Sequence, residues 1–301
     1  MSEGHDCNGD CGHCAHAEEE RREIADCKLR RNLAGVKRAV VVLSGKGGVG
    51  KSTVAANLAA ALARAGGRVG LLDTDVHGPS VVEMLGLRDA ALEATEDGTI
   101  LPVEAHGISV MSVGLAVPDP DAAIVWRGPM KLGVIRQFLE SVAWGALDWL
   151  VVDAPPGTGD EPLTVCQSLP ASMPRGAVVV TTPQLVAAAD VSRSLSFCEQ
   201  LAFPVLGLVE NMSGFVCPHC GERVDIFSSG AADALAAKYD APVLGRIPLD
   251  PRVCASGDAG EPFAATAAET PVGKAFAEIA AGVDASDAFA GPSAGTGTPA
   301  R

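Results

Sequence analysis

A glycine-rich loop between an apolar run and an alanine-rich stretch constrains this 301-residue chain more than any other feature. The run AVVVL (39–43) leads into Gly45 to Ser52, which matches the pattern GxxxxGK[ST]. Glycines let such a loop point its backbone N–H groups inward at phosphate oxygens, and the following helix adds its positive end. The same string contains G-x-G-x-x-G, a dinucleotide fingerprint, but Lys51 and Ser52 directly after it favour a phosphate-binding loop.

The residues of this loop have separate expected roles. Lys51 would neutralise the β- and γ-phosphates of ATP, and the Ser52 hydroxyl would bind Mg²⁺. Lys46 is unusual, because nucleotide binding within one chain needs no second lysine at the start of the loop. The residues of this segment that we predict to bind the nucleotide are Gly45, Lys46, Gly47, Gly48, Val49, Gly50, Lys51, Ser52 and Thr53.

Two further apolar runs end in carboxylates. RVGLLD is followed by Thr74 and Asp75, and DWLVVD ends at Asp153 before a loop rich in proline and glycine. An apolar run closed by Asp is typical of a Walker B strand, so we expect Asp153 to hold the Mg²⁺ shell through water. We favour Asp75 over Asp73 for positioning the attacking water. Helix capping and turn formation are the alternative roles for Asp73 and Asp75.

Apolar runs alternate with longer alanine-rich stretches in the middle of the chain. Such alternation predicts an α/β fold, a three-layer P-loop NTPase with a mainly parallel sheet flanked by helices. Ser52 and Thr53 should begin one helix, and Gly66 and Gly67 should end it. The predicted strands are 39–43, 68–73, 148–153, 177–182, 204–211 and 242–248.

Composition divides the chain into three zones. Residues 1–37 are rich in Cys, His, Glu and Arg, residues 38–283 form the predicted ATPase domain with a CxxC insertion at 217–220, and residues 284–301 are predicted to be a disordered tail. The net charge of −14, without a basic patch, argues against nucleic acid and anionic lipid as partners. The sequence contains no segment resembling a signal peptide and no apolar run of membrane-spanning length, so we expect a cytoplasmic protein.

Six of the nine cysteines fall into one pair and one set of four that suggest metal binding. Cys217 and Cys220 form a CxxC that supplies two of the four ligands that a zinc site or an iron-sulfur cluster needs, and a redox dithiol is a further alternative. Four more cysteines, interleaved with histidines, could close a site within one chain or belong to a disordered tail. This second set is Cys7, Cys11, Cys14 and Cys27. Packing is the expected role of Cys166, Cys198 and Cys254.

Several longer strings occur in order and together resemble the Mrp family of iron-sulfur cluster carrier ATPases over about residues 38–265. They are DTDVHGPS, WRGPM, VVDAPPGTGD, TTPQLVAAADVSR, VENMSGFVCPHCG and LGRIPLDPRV. The resemblance implies that Asn211 contacts adenine and that the Pro248 to Asp250 loop flanks the base. It also implies a deviant Walker A loop, in which Lys46 reaches the phosphates of a partner subunit across a homodimer.

The same resemblance implies a cargo. Cys217 and Cys220 from both subunits would hold a bridging [4Fe-4S] cluster for transfer to apo iron-sulfur proteins, with cluster assembly factors as further partners and slow, coupled ATP hydrolysis. Some relatives carry an N-terminal four-cysteine cluster, although the spacing here differs. The alternatives are a partition-type positioning ATPase, an ATP-gated iron-sulfur reductase and a zinc-binding regulatory ATPase.

Overall fold

The computed structural model describes residues 26–76, 78–116, 128–217, 219–220, 222–227 and 230–289. Apolar and β-branched runs form the strands, as such runs do when both faces of a sheet are covered. The strands are β1 (Val36–Ser44), β2 (Val69–Asp73), β3 (Glu93–Ala94), β4 (Ile100–Leu101), β5 (Val103–Ala105), β6 (Ile108–Ser112), β7 (Leu147–Asp153), β8 (Arg175–Thr181), β9 (Val205–Val216), β10 (Arg223–Val224) and β11 (Val243–Leu249).

The helices of the described residues cover both faces of the main sheet. They are α1 (26–32), α2 (Lys51–Arg64), α3 (Val81–Met84), α4 (Gly128–Ser141), α5 (Asp160–Ser168), α6 (Leu185–Gln200), α7 (Ala231–Tyr239), α8 (Pro251–Asp258), α9 (Phe263–Thr266) and α10 (Pro271–Asp284). None of them is long and apolar enough to cross a membrane.

The main sheet has the parallel core that the sequence predicts. Its order is β10-β9-β8-β1-β7-β2-β6-β5, with β11 pairing on β9. The pairs β5–β6 and β9–β10 are antiparallel, and the remaining pairs of this sheet are parallel. Each of the six predicted strands lies in β1, β2, β7, β8, β9 or β11. Because parallel strands end at one edge, the loops that follow β1, β2, β7 and β9 meet there.

Alternate residues of β1 face opposite sides of the sheet and enter two separate cores. Val40 and Val42 pack with α2 and α10, whereas Val41 and Leu43 pack in the core that α4, α5 and α6 cover. All four side chains are essentially buried. This alternation, which follows from the strand period of two, fixes the central strand between its two helical layers.

The structure moves both predicted domain boundaries outward. Residues 26–32 are helical, and Leu29 and Leu33 are buried in the core, so the domain begins before residue 38. At the other end, Asp284 closes α10, and Phe289 packs edge-on against Trp149 at a centroid distance of 5.5 Å. Residues 284–289 therefore belong to the packed domain rather than to the predicted tail. Residues 290–301 lie outside the described residues.

Strand β6 was not among the predicted strands although it pairs with the central strand β2. Its sequence, ISVMS, interrupts apolar residues with serines, which hides the continuous apolar run typical of a buried parallel strand. Ser112 at the end of β6 is completely buried. Its hydroxyl has a hydrogen-bond partner at the end of β2, which accounts for a polar side chain at this position.

Candidate nucleotide and cysteine sites

The predicted phosphate-binding loop lies between β1 and α2. Gly48 and Gly50 adopt positive φ angles of 78° and 81°, a region that side chains disfavour, and Gly50 is the N-cap of α2. A Cβ at Gly47 or Gly48 would meet no atom within 4 Å, so the backbone there is open to a ligand. The loop therefore presents free backbone N–H groups and a helix N-terminus to one region, as phosphate binding requires.

Lys51 and Asp153 form a buried ion pair at the base of this loop. Lys51 Nζ donates to Asp153 Oδ1 at 2.5 Å, and Ser52 Oγ lies 3.3 Å from the same nitrogen. Asp75 Oδ2 is 3.9 Å from Lys51 Nζ. The structure thus brings together the four predicted residues Lys51, Ser52, Asp75 and Asp153 from the ends of β1, β2 and β7.

The carboxylates of this cluster contain a buried oxygen that lacks a partner. Asp153 Oδ2 is inaccessible to solvent and accepts no hydrogen bond from any residue that the structure describes. Burial raises the pKa of Asp153, and the charge of Lys51 opposes this shift. Hydroxyl and carboxylate oxygens are the protein ligands that Mg²⁺ prefers, and it keeps several waters. Ser52 and Asp153 therefore fit a hydrated Mg²⁺ ion at this position.

Asp73 is more deeply buried than Asp75, and both of its carboxylate oxygens accept hydrogen bonds. Asp73 Oδ2 accepts from Ser112 Oγ at 2.9 Å, and Asp73 Oδ1 accepts from the Asp75 N–H at 3.0 Å. Burial and the adjacent charge of Asp153 raise the pKa of Asp73 to about 8. Asp73 consequently orients the backbone of Asp75, whose own side chain is 14% exposed and is nearer to the open site. Ser112 is a site residue that the sequence analysis missed.

Asn211 lies on β9 against the phosphate-binding loop. Its Nδ2 donates to the Val49 carbonyl at 2.9 Å, and a Cβ at Gly50 would lie only 2.2 Å from that nitrogen. Asn211 also lines a cavity of about 360 Å³ beside the start of α2. The predicted loop Pro248 to Asp250 lines the same cavity, so the structure brings together the residues assigned to the adenine base.

Two of the three isolated cysteines pack in the core as predicted, and the third does not. Burial raises the pKa values of the Cys166 and Cys198 thiols to about 12. Cys254 is exposed on α8, where it lines the cavity beside Asn211, and its Sγ is 3.7 Å from Asp258 Oδ2. The packing role predicted for Cys254 is therefore wrong, because its helix presents it to the cavity rather than to the core.

The CxxC residues lie at the turn of a hairpin. Strands β9 and β10 pair antiparallel through Phe215 and Val216, and the Cys217 N–H donates to the Glu222 carbonyl at 2.9 Å. Cys217 is half-buried and Cys220 is exposed. Backbone N–H groups of Cys220 and His219 lower the pKa of the Cys217 thiol, which favours the thiolate that binds metals. The hairpin projects from the same edge of the sheet as the phosphate-binding loop.

The described residues contain no group of three or more Cys, His, Asp or Glu side chains placed to hold a metal ion. Cys27 is exposed on α1. The other predicted ligands of the N-terminal site, Cys7, Cys11 and Cys14, lie outside the described residues. Within the described part of the chain, Cys217 and Cys220 thus form a pair of cysteines that no third ligand-type side chain joins.

A strand, a phosphate-binding loop, a helix and a buried aspartate on the neighbouring strand define a P-loop nucleoside triphosphatase of the α/β class. A family model of ParA proteins, described as the NUBPL iron-transfer P-loop NTPase, matches residues 35–284. The chain belongs to this family of iron-transfer P-loop NTPases. The fold class and the resemblance to iron-sulfur carrier ATPases that the sequence indicated are confirmed.

Named relatives and solved structures agree with this assignment. The chain is 45% identical to the iron-sulfur cluster carrier protein of Methanocaldococcus jannaschii over 86% of this chain and 90% of that protein. It is 50% identical to the cytosolic Fe-S cluster assembly factor NUBP2 of Bos taurus, covering 80% and 89% of the two chains. An ADP complex of a nucleotide-binding protein from Archaeoglobus fulgidus has a TM-score of 0.71 and 40% identity, covering 83% and 96%.

Solved structures with lower identity show the same fold. The septum site-determining protein MinD of Pyrococcus horikoshii, complexed with Mg-ADP, has a TM-score of 0.61 at 23% identity, covering 83% of this chain and 96% of that one. This likeness concerns the architecture alone.

Proposed function

We propose that this protein is an ATP-dependent carrier that binds an iron-sulfur cluster at Cys217 and Cys220 and delivers it to apo-proteins. The observation that carries the proposal is the path of β9. One strand holds Asn211 against the phosphate-binding loop and ends at the CxxC hairpin. The names of the Methanocaldococcus and Bos relatives support the cargo, because they are a cluster carrier and a cluster assembly factor.

The nucleotide is ATP with Mg²⁺ in this proposal. Lys51 binds the β- and γ-phosphates, Ser52 and Asp153 hold the hydrated ion, and Asn211 contacts adenine. Bound Mg²⁺ would neutralise charge that develops on the phosphates during hydrolysis. The Archaeoglobus relative supports an adenine nucleotide because its structure contains ADP. Asp75, held through its backbone by Asp73, orients the attacking water.

The working form is a homodimer. Lys46 is half-exposed and forms no ion pair with any residue that the structure describes, so its ammonium group is available to the phosphates of a second subunit. Cys217 and Cys220 supply two thiolates, and a Cys₄ cluster needs four. Val216, Val224 and Ile226 on and beside the hairpin are large apolar residues that are between 39% and 51% exposed. Covering such residues in an interface would remove apolar area from water.

Hydrolysis is coupled to cargo transfer in this scheme. ATP bound between two subunits would draw the phosphate-binding loops together and fix the spacing of the two hairpins, and hydrolysis would release that constraint. We assign the protein to the cytoplasm, because the Bos relative is named as a cytosolic factor. Apo iron-sulfur proteins and assembly factors are its partners.

The partition-type alternative requires an amphipathic basic helix near the C-terminus that binds a membrane or DNA. In the described residues the last helix, α10, instead buries Val272, Phe276 and Ile279 in the domain core. Its apolar face is thus already used for folding. The cluster-carrier function fits this structure better.

Anaerobic reconstitution with iron and sulfide tests the proposal. We expect the double substitution Cys217→Ala, Cys220→Ala to abolish the bridging cluster and its transfer to an apo-protein, while ATP affinity stays unchanged. The matched control is Cys254→Ala, which removes an exposed thiol outside the hairpin and should keep the bridging cluster. A double variant that retains the bridging cluster and its transfer activity would contradict the proposal.

A further inference from the structure

The segment of β9 between the nucleotide site and the cysteines has an irregular backbone. Met212 and Gly214 adopt positive φ angles of 58° and 74° within the strand. The left-handed conformation is unfavourable for a residue with a side chain. Such strain persists only where surrounding contacts enforce it. Asn211 and Cys217 are therefore joined by a segment whose backbone departs from regular strand geometry at Met212 and Gly214.

A buried glutamate next to Asn211 holds this segment. Glu210 Oε1 accepts from Ser213 Oγ at 2.7 Å and is 3.5 Å from Arg246 Nε. The Glu210 side chain is only 4% exposed. Its Oε2 atom is inaccessible to solvent and has no hydrogen-bond partner among the described residues. An unsatisfied buried group of this kind destabilises the arrangement that contains it. The observed arrangement is thus unfavourable at one defined atom.

A cavity of about 80 Å³ separates this glutamate from an arginine of the cysteine hairpin. Glu210 and Arg223 both line it. Among the described residues, the polar contacts of Arg223 are long: its Nε is 3.6 Å from Asp225 Oδ1, and its Nη2 is 3.4 Å from the Ser213 carbonyl. A guanidinium group has five N–H donors, so Arg223 retains donors that could reach a carboxylate. Arg246 Nη2 already pairs with Asp233 Oδ1 at 2.5 Å, and this ion pair would remain.

We propose that Arg223 pairs with Glu210 when nucleotide engages Asn211, and that this ion pair repositions Cys217 and Cys220. The inference rests on the proposed function and deepens it by naming a route between the two sites. Glu210 is a positioning residue in this scheme because it touches neither nucleotide nor cargo. Movement of Arg223 would carry β10, whose pairing with Val216 fixes the strand that leads into Cys217.

Two features make this exchange favourable. A charge-assisted hydrogen bond between an arginine and a carboxylate is among the stronger polar contacts in proteins. It would also satisfy Glu210 Oε2, the atom that lacks a partner. A ligand can shift the equilibrium of such a two-state element by the factor by which its affinity differs between the two states, which is about 5- to 150-fold in typical allosteric proteins.

The reactivity of the two thiols in the iron-free protein tests this exchange. The rate at which N-ethylmaleimide alkylates Cys217 and Cys220 would be followed by peptide mass spectrometry, with and without Mg²⁺ and a non-hydrolysable ATP analogue. We expect the analogue to change these rates by about fivefold or more in the unmodified protein. Glu210→Gln and Arg223→Gln should each lose most of this response, and the double variant should lose no more than either single one.

The control is Glu222→Gln, which removes a charge beside the cysteines but lies outside the Glu210 cluster. It should keep the full nucleotide response. Binding of the ATP analogue with unchanged affinity shows that each variant is folded. Ser213→Ala provides a second test, because it removes the hydrogen bond to Glu210 and should weaken the response of the thiols to nucleotide. The inference would be overturned if the alkylation rates of the unmodified protein did not change with nucleotide, or if the Glu210→Gln variant showed the full change.

Iron content separates this inference from the proposed function. Under the inference, Glu210→Gln should still take up iron and sulfide at Cys217 and Cys220 to the level of the unmodified protein. If the unmodified protein itself binds no cluster there, the carrier function fails, whereas the thiol measurement in the iron-free protein still reports on the coupling.

Discussion

At the scale of single residues, the two lysines of the phosphate-binding loop have different environments. Lys51 is 6% exposed and is held by Asp153, whereas Lys46 is half-exposed without an ion pair in the described part of the chain. The buried lysine is preorganised for phosphate within its own chain. The other lysine is oriented by the loop alone, and in the proposed dimer it would gain the phosphates of a second subunit as partners.

The substitutions Lys51→Met and Lys46→Met should therefore separate binding from hydrolysis. We expect Lys51→Met to weaken ATP binding by about 100-fold or more, because each hydrogen bond to a charged group contributes about 1.5–3 kcal/mol. Lys46→Met should bind ATP with nearly unchanged affinity and lose most of its hydrolysis. Calorimetric titration with an ATP analogue measures the first effect, and steady-state phosphate release measures the second.

Circular dichroism is the control for this pair, since removing Lys51 leaves the buried carboxylate of Asp153 without its cation. A folded Lys46→Met variant that cannot bind the ATP analogue would show that this lysine acts within its own chain, contrary to the dimer proposal.

At the scale of secondary-structure elements, one aspartate links three neighbouring strands at the edge opposite the nucleotide site. Asp148 on β7 contacts Lys37 on β1, with Lys37 Nζ 2.8 Å from Oδ1. Arg68, directly before β2, contacts the other oxygen: its backbone N–H donates to Asp148 Oδ2 at 2.9 Å and its Nε is 3.2 Å from that oxygen. The arginine first, and then Lys37, hold the pKa of Asp148 well below its usual range.

This lowered pKa predicts how the stability of the fold depends on pH. A carboxylate with a depressed pKa stabilises the folded state fully above its ordinary value near 4, and this contribution is lost as the pH falls. We expect Asp148→Asn to lower the melting temperature at about pH 7, and we expect this difference to shrink as the pH falls below about 4 and to disappear only below the depressed pKa of the folded protein. The difference at pH 7 should shrink in high salt, because the group is partly exposed.

The matched control is Asp89→Asn, an exposed aspartate without an ion pair in the described residues. It should leave the melting temperature unchanged across the same pH range. A pH-independent effect of Asp148→Asn would mean that the side chain stabilises the strands by hydrogen bonding rather than by charge.

The elements also show which parts of the site the sequence could predict. The phosphate-binding loop was predicted residue by residue because its chemistry lies within eight consecutive positions. Asn211 came from the resemblance, since nothing local indicates that β9 lies beside Val49. Ser112 and Glu210 escaped prediction because their roles depend on which strands are neighbours, and strand order is not encoded in any short window. The packing of Leu29 and Phe289 lies outside the predicted boundaries at residues 38 and 284, because composition does not reveal which flanking residues pack on the domain.

At the scale of the whole molecule, the proposed hairpin site takes two cysteines from one chain, so a four-ligand cluster there would need two chains. The N-terminal set of Cys7, Cys11, Cys14 and Cys27 could complete a second site within each chain. The two kinds of site differ in stoichiometry. A [4Fe-4S] cluster shared by two subunits contributes about two irons per chain, and one held within each chain contributes about four.

Iron analysis of three proteins after anaerobic reconstitution should therefore separate the sites. The unmodified chain should contain about six irons, Cys217→Ala, Cys220→Ala about four, and the alanine variant of the four N-terminal cysteines about two. Light scattering should show that only the proteins with an intact CxxC form a dimer that depends on iron. Zinc measured on the same samples tests the alternative metal. The two thiolates of one chain leave half of the cluster's ligand positions unfilled, so a bridging site requires two chains. Four irons per chain at the CxxC, or a cluster on a monomer, would therefore contradict it.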